Sequence, residues 1–261
     1  MTLTELWILL ALGLTAGVIG GLIGIGGSIV IIPVLTLLLG RDQHFSQASA
    51  MIINVFVAAA AVFQHNRAHA ICWKIVAHML PAGLVFIIVG VEVSNALDAD
   101  LLKKIFGVFL LYVVAYNVVK LVGDGRPKDQ RPPERADWGR VSVTGGAMGL
   151  VAGLLGIGGG PVAIPLLQRL SNLPLRRSIA TSSAVMVLTA TVGAARKNLT
   201  LAQVTDEPLR ESLITAACLA PTAVLGALIG AWLTHHLPVR WVRLAFTLLM
   251  AWASLDMLGI V

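Results

Sequence analysis

The chain has 261 residues, 57% of them hydrophobic and only 12% charged, with a net charge of +6 and a mean hydropathy of +0.87. A soluble domain carries about 25% charged residues, so this composition points to a membrane protein. It argues against a nucleic-acid binder, since the 19 Lys and Arg residues form no run and no aromatic platform accompanies them. Two cysteines, Cys72 and Cys218, with no CxxC or His/Cys spacing, indicate neither a disulfide framework nor a metal site.

In chain order, the first apolar segment runs from Leu3 to Leu39. No basic residue precedes it, so it is expected as a membrane segment and not a cleaved signal. It contains "GGLIGIGGSIVIIP", Gly20 to Pro33, with five glycines in eight residues. As one helix it would be roughly 55 Å long, against a hydrocarbon core of about 30 Å. Glycine costs roughly 1 kcal/mol relative to alanine inside a helix, so the segment is predicted to break at Gly24–Gly27 and return as a hairpin.

Segment 2 spans about Gln47 to Phe63 and holds Ser49 and Asn54. Gln64, His65, Arg67 and His69 sit at its inner end, where an Arg with two His could draw anions toward the cytoplasmic mouth; the plainer expectation is a solvated loop that holds topology. Segments 3 and 4 are Ile71–Val93 and Leu101–Val122. The polar stretch "GDGRPKDQRPPERADWGR", Gly123 to Arg140, separates them from the second set. Segment 5, Val141–Leu167, contains "GLLGIGGGPVAIP" and is predicted to break at Gly156–Gly160. Segment 6 is about Ile179–Ala195, segment 7 Leu209–Leu233 and segment 8 Trp241–Val261. Asp256 is the one acidic residue deep in the last span, and it lies near the chain end.

A shift of 132 residues superimposes the two glycine stretches: Gly24, Gly26 and Gly27 fall on Gly156, Gly158 and Gly159, and Pro33 on Pro165. Two related halves of a membrane protein are a common transporter plan. The expected domains are residues 1–122, a first membrane repeat; 123–140, a cytoplasmic linker; and 141–261, a second membrane repeat. If each half is a returning hairpin plus three crossings, the halves face opposite ways. The expected fold class is therefore an all-α polytopic membrane protein of two inverted repeats. Loop charges favour that parity. With the linker inside, 13 of the Lys and Arg residues fall inside and 6, including Arg196 and Lys197, outside; single crossings would give 11 and 8. Both termini are then periplasmic.

Non-helical backbone in a bilayer must be buried in protein or face water. The two turns are thus expected at the protein centre, with the N–H groups and positive dipole end of each following helix aimed inward. That arrangement suits an anion. Candidate binding residues are Gly26, Gly27 and Ser28 at the first turn and Gly158, Gly159 and Gly160 at the second. Asn54, Thr181 and Ser182 are candidate side-chain donors. Ser28 is expected to cap its helix, and Pro161 suits the first helical position of the other. Two plainer readings stand beside these. Gly13, Gly17, Gly21 and their partners serve close helix packing, and Ser or Thr in a membrane helix bonds back to the preceding turn. No nucleotide loop, HExxH motif or nucleophile–base pair is present, so no enzyme, no cofactor and no metal are expected.

The paired "GGLIGIGGSIVIIPVL" and "AGLLGIGGGPVAIPLL", with "ATSSAVMVLTA" following the second, resemble the TauE/SafE sulfite exporter family over nearly the whole chain. The resemblance implies export of a small sulfur oxyanion or organosulfonate across the bacterial inner membrane. The expectation is a secondary transporter working by alternating access, with an anion channel, an intramembrane enzyme or an assembly partner as alternatives. Expected partners are a small anionic substrate, the lipid bilayer and a second copy of the chain in a homodimer, with no nucleic acid.

Overall fold

The computed structural model describes residues 3–23, 26–122, 137–236 and 240–260. Gly24, Ile25 and most of the linker lie outside the described residues. Among those described, every regular element is helical. The first half comprises α1 (Leu3–Ile23), α2 (Ser28–Pro33), α3 (Gln43–Arg67), α4 (Trp73–Asn95) and α5 (Ala99–Val122). The second comprises α6 (Trp138–Leu155), α7 (Gly160–Leu170), α8 (Leu175–Leu199), α9 (Leu209–His236) and α10 (Arg240–Met257). Five of them, α3, α4, α5, α8 and α9, are long and apolar enough to cross a membrane. The chain is a multi-pass membrane protein. Its outer helices present large apolar side chains such as Val85, Phe86 and Val89 on α4 and Leu225 and Ile229 on α9, a surface that suits hydrocarbon and not water.

Both glycine stretches break the helix where the sequence predicts. α6 ends at Leu155, Gly156 and Gly159 adopt left-handed φ values of 72° and 70°, and α7 starts at Gly160. A Cβ on Gly159 would lie 2.7 Å from the carbonyl oxygen of Met148. Met148 sits back along α6, so the chain doubles back. The first half repeats this, with Gly26 at φ 77° and Gly27 facing Ala16 of α1. Pro33 and Pro165 lie inside the second arms, and after Pro33 the helix widens into a π-turn at Val34–Leu38. A proline supplies no N–H to the ladder, which loosens the helix at that point.

The halves interlock by exchange. α1 packs on α9 and α6 packs on α4, each pair running in the same direction. Gly17 and Gly21 rest on the carbonyls of Ala223 and Ala227; Gly145 and Gly149 rest on those of Met79 and Gly83. Any Cβ there would overlap backbone, so these glycines serve close packing. The equivalent helices α3 and α8 cross at the centre and run in opposite directions: Asn198 near the end of α8 bonds Ala48 near the start of α3, and Gly193 meets Met51. They are the most enclosed spans, 67% and 72% buried against 33–39% for α4, α5 and α9. α5 and α10 pack on each other, with Ser254 donating to the Gly107 carbonyl at 2.9 Å.

Two sequence expectations are corrected. α8 continues through Arg196 and Lys197 to Leu199, so Lys197 is no loop charge; its side chain is fully buried. α3 likewise continues to Arg67, and His65 is buried within it, not solvated. At the end of α8 the extra turn is held by the buried polar partners of Lys197, and not by hydropathy.

Candidate functional site

Asn54 joins the two glycine turns. It sits midway along α3, 1% exposed. Its Oδ1 accepts from the Ser28 N–H at 3.2 Å, while its Nδ2 donates to Ser28 Oγ at 2.8 Å and to the Gly156 carbonyl at 3.4 Å. One amide thus touches the first turn of its own half and the second turn of the other. Gly26 is held against it: a Cβ there would stand 2.6 Å from Oδ1 and 3.4 Å from Met186 Sδ. Met186 is the α8 residue that the repeat places opposite Asn54.

Ser28 does not cap its helix. It is the first helical residue, Gly27 occupies the cap position without a side-chain bond, and Asn54 supplies the cap from a neighbouring helix. A free α2 N-terminus would need that partner because Ser28 is fully buried. Pro161 lies in the first turn of α7, where its missing N–H is no loss.

The second turn has no such cap. No side chain bonds the N-terminus of α7, and the N–H groups of Gly158, Gly159 and Gly160 meet no acceptor among the described residues. All three residues are buried. The Gly26 and Gly27 N–H groups are likewise without an acceptor among the described residues. Buried unpaired amides are costly, about 1–3 kcal/mol each. A cluster of them at the positive end of a helix is a site prepared for a negative guest.

The hydroxyls of α8 divide differently from the sequence expectation. Ser182 donates to Ile179 O at 3.0 Å and Thr189 to Val185 O at 3.2 Å, so both are absorbed by their own helix. Thr181 Oγ1 accepts from the Cys72 N–H at 3.2 Å, which ties α8 to the start of α4. None of these bonds reaches the glycine turns. Ser183, by contrast, is fully buried with an unpartnered hydroxyl.

Sequence reasoning missed Gln47. It is fully buried on α3, its side chain lies within 2.8 Å of where a Gly156 Cβ would be, and its Nε2 donates to Leu154 O at 3.4 Å. A polar residue at the edge of an apolar run gives no signal by itself; only the fold brings it to the turn of the other half.

A family model described as "Sulfite exporter TauE/SafE" matches residues 9–257. Among the curated relatives, a "Probable membrane transporter protein MamO" of Paramagnetospirillum magneticum is 27% identical over 96% of this chain and 44% of its own length. The chain thus spans less than half of that relative. A "Probable membrane transporter protein" of Methanocaldococcus jannaschii is 29% identical over 71% of this chain and 70% of its own length. "Probable membrane transporter protein YdhB" of Bacillus subtilis is 26% identical, covering 93% of this chain and 96% of its own. No solved structure matches the chain.

Proposed function

This chain belongs to the sulfite exporter TauE/SafE family, and from that membership together with the geometry above we propose that it exports a small anion by alternating access around the paired glycine turns. The observation that carries the reading is the uncapped second turn, where three buried glycine N–H groups stand at the start of α7. Backbone amides bind an oxyanion without a competing fixed charge, so the guest can also leave. The family name favours a sulfite-like sulfur oxyanion or an organosulfonate, and the relatives' names point to a membrane transporter rather than an enzyme. Ser28 and Asn54 supply polar contact at the first turn; Thr181 and Ser182 shape the wall of α8.

The proposed frame is two inverted repeats, residues 1–122 and 141–261, with residues 123–140 cytoplasmic between them. Its support is directional. If each glycine stretch crossed once, the first half would have an even number of crossings, and α3 and α8 would run the same way. They run oppositely, which fits a returning hairpin in each half. With the basic linker on the cytoplasmic side of the bacterial inner membrane, both termini are periplasmic. One half tilting against the other would then expose the turns to each side in alternation. Inside-negative potential favours anion exit by about 2.3 kcal/mol per charge per 100 mV.

The test is uptake by inside-out vesicles of labelled sulfite, sulfoacetate and a carboxylate analogue. Saturable uptake of a sulfur anion, with counterflow when unlabelled anion is preloaded, is expected. Flux that never saturates would replace the transporter with a channel, and no flux of any of the three would end the reading.

A further inference from the structure

A second buried polar cluster lies one helix turn from the end of α8. Lys197 Nζ meets three acceptors: His44 Nδ1 at 2.9 Å, Ser94 Oγ at 2.8 Å and Asn95 Oδ1 at 2.8 Å. Lys197 and Ser94 are fully buried and His44 is 2% exposed. Among the described residues no carboxylate lies within 4.0 Å of the ammonium. An unpaired cation inside a membrane protein is expensive, and such residues mark ion or proton pathways.

The ring orientation is fixed. His44 Nε2 lies 3.1 Å from the Leu97 carbonyl, and a carbonyl only accepts, so Nε2 carries hydrogen. In the neutral ring Nδ1 is then a lone pair facing Lys197. One proton lies between two nitrogen bases: Nζ–H⁺···Nδ1 can become Nζ···H–Nδ1⁺, and the pair loses its charge when that proton leaves to water.

The cluster connects to the glycine turn. Ser94 Oγ accepts from Lys197 and donates to Gln47 Oε1 at 3.0 Å. Gln47 Nε2 reaches Leu154 O, two residues before Gly156. While the ammonium donates to Ser94, the serine proton must point at Gln47. An amine without that proton offers a lone pair, and the serine hydroxyl can turn to it, releasing Gln47 from its donor. The protonation state of Lys197 is thereby read at the end of α6.

Few other charges face the pair. Asp42, which caps α3, and Glu92 on α4 are the carboxylates whose field reaches Lys197; Asp98 joins Asp42 at the His44 ring. Glu92 is engaged by Arg196 on α8. Glu207, just before α9, and Glu211 on α9 are held by Arg41 at 3.1 and 3.0 Å.

We propose that Lys197 and His44 together hold one exchangeable proton and that this proton is the ion coupled to anion movement. The proposal rests on the transporter reading above and extends it to the driving ion.

The experiment uses the full chain in proteoliposomes with carbon-14-labelled sulfoacetate. Counterflow at equal pH requires no net proton transfer; accumulation driven by a pH gradient does. Lys197→Gln keeps two N–H donors and loses the titratable charge. It is expected to retain counterflow within about threefold of wild type and to lose gradient-driven accumulation at least tenfold. Lys197→Arg keeps a charge that cannot be released, and it too should stay uncoupled. Gradient-driven accumulation by either variant, or loss of counterflow in Lys197→Gln, overturns the proposal. Should Lys197→Arg fail to insert, Lys197→Gln alone decides. Absence of counterflow in wild type would instead sink the transporter reading. The proton site is then judged in detergent by ¹⁵N resonances of the Lys197 amine and His44 ring, which must move together on titration and, for His44, change in Lys197→Gln; independent movement overturns it.

Discussion

The two glycine turns descend from the same pattern yet are finished differently. The first has a left-handed Gly26, an arm that stays helical from Ser28 through the π-turn to Leu38, and an amide cap brought by Asn54. The second has left-handed Gly156 and Gly159, an arm of the same length, α7, and no side-chain cap among the described residues. Where α3 carries Asn54, the equivalent place on α8 carries Met186. A thioether cannot cap an N–H as an amide does, so nothing among the described residues does for the start of α7 what Asn54 does for Ser28, although the Gly26 and Gly27 amides of the first turn stay open too. The proposed reading is that the repeated pattern supplies two turns and that the Asn/Met difference ties the first to α3 through Ser28 and leaves the second as the main binding surface. On this reading, damage to the second turn harms transport and damage to the first harms assembly.

The largest expected effect follows from Gly159. A side chain there is refused twice, by its positive φ and by the Met148 carbonyl. Gly159→Ala should lower the initial rate of vesicle uptake at least tenfold, and Gly159→Leu should abolish it, with membrane insertion retained. Gly27 differs from it: its φ is −74°, and the nearest atom to an added Cβ is Ala16 O at 3.3 Å. Gly27→Ala should keep uptake within about threefold of wild type, whereas Gly27→Leu, which overfills the same space, should abolish uptake. Equal tolerance of alanine at positions 27 and 159 would break the asymmetry.

Asn54 comes next. Asn54→Ala removes the buried partner of the Ser28 N–H and of the Gly156 carbonyl. Each such group costs about 1–3 kcal/mol, so the detergent-solubilised protein should melt several degrees lower. Met186→Ala removes apolar packing only; its cost is about 2–5 kcal/mol if the space stays empty, less if the wall collapses. The distinguishing measurement is rescue. Met186→Leu should restore both stability and uptake, whereas Asn54→Leu should restore neither.

Much of this was legible in the sequence. Among the described residues, hydropathy and glycine clustering locate the long helices and the two breaks to within about a turn, because burial in lipid and the helix cost of glycine are local properties. The packing role of Gly17 and Gly21 was legible from their spacing as well. Residues whose role depends on a partner far along the chain were not. Lys197 reads as a flanking charge until His44, Ser94 and Asn95 are placed around it. Gln47 is an unremarked polar residue until the other half sets Leu154 beside it. Conversely Ser182 and Thr181 read as donors to a ligand, but a hydroxyl on a helix always has a carbonyl within reach, and sequence cannot say which acceptor wins.

That competition sets the smallest effect. Ser182 gives its proton to Ile179 O, and its helix already satisfies that carbonyl's main need, so Ser182→Ala removes a redundant bond. Its stability cost should be within about 0.5 kcal/mol, and its half-saturation concentration for sulfoacetate within about twofold of wild type. Ser28→Ala, which takes away the acceptor of the Asn54 amide, should cost about 1 kcal/mol in stability and leave the amides of the second turn untouched. If Ser182→Ala instead weakened binding tenfold, the hydroxyl would have to leave Ile179 when the anion arrives. The binding surface would then extend from the second turn onto α8, and the division between a structural first turn and a binding second turn would be too narrow.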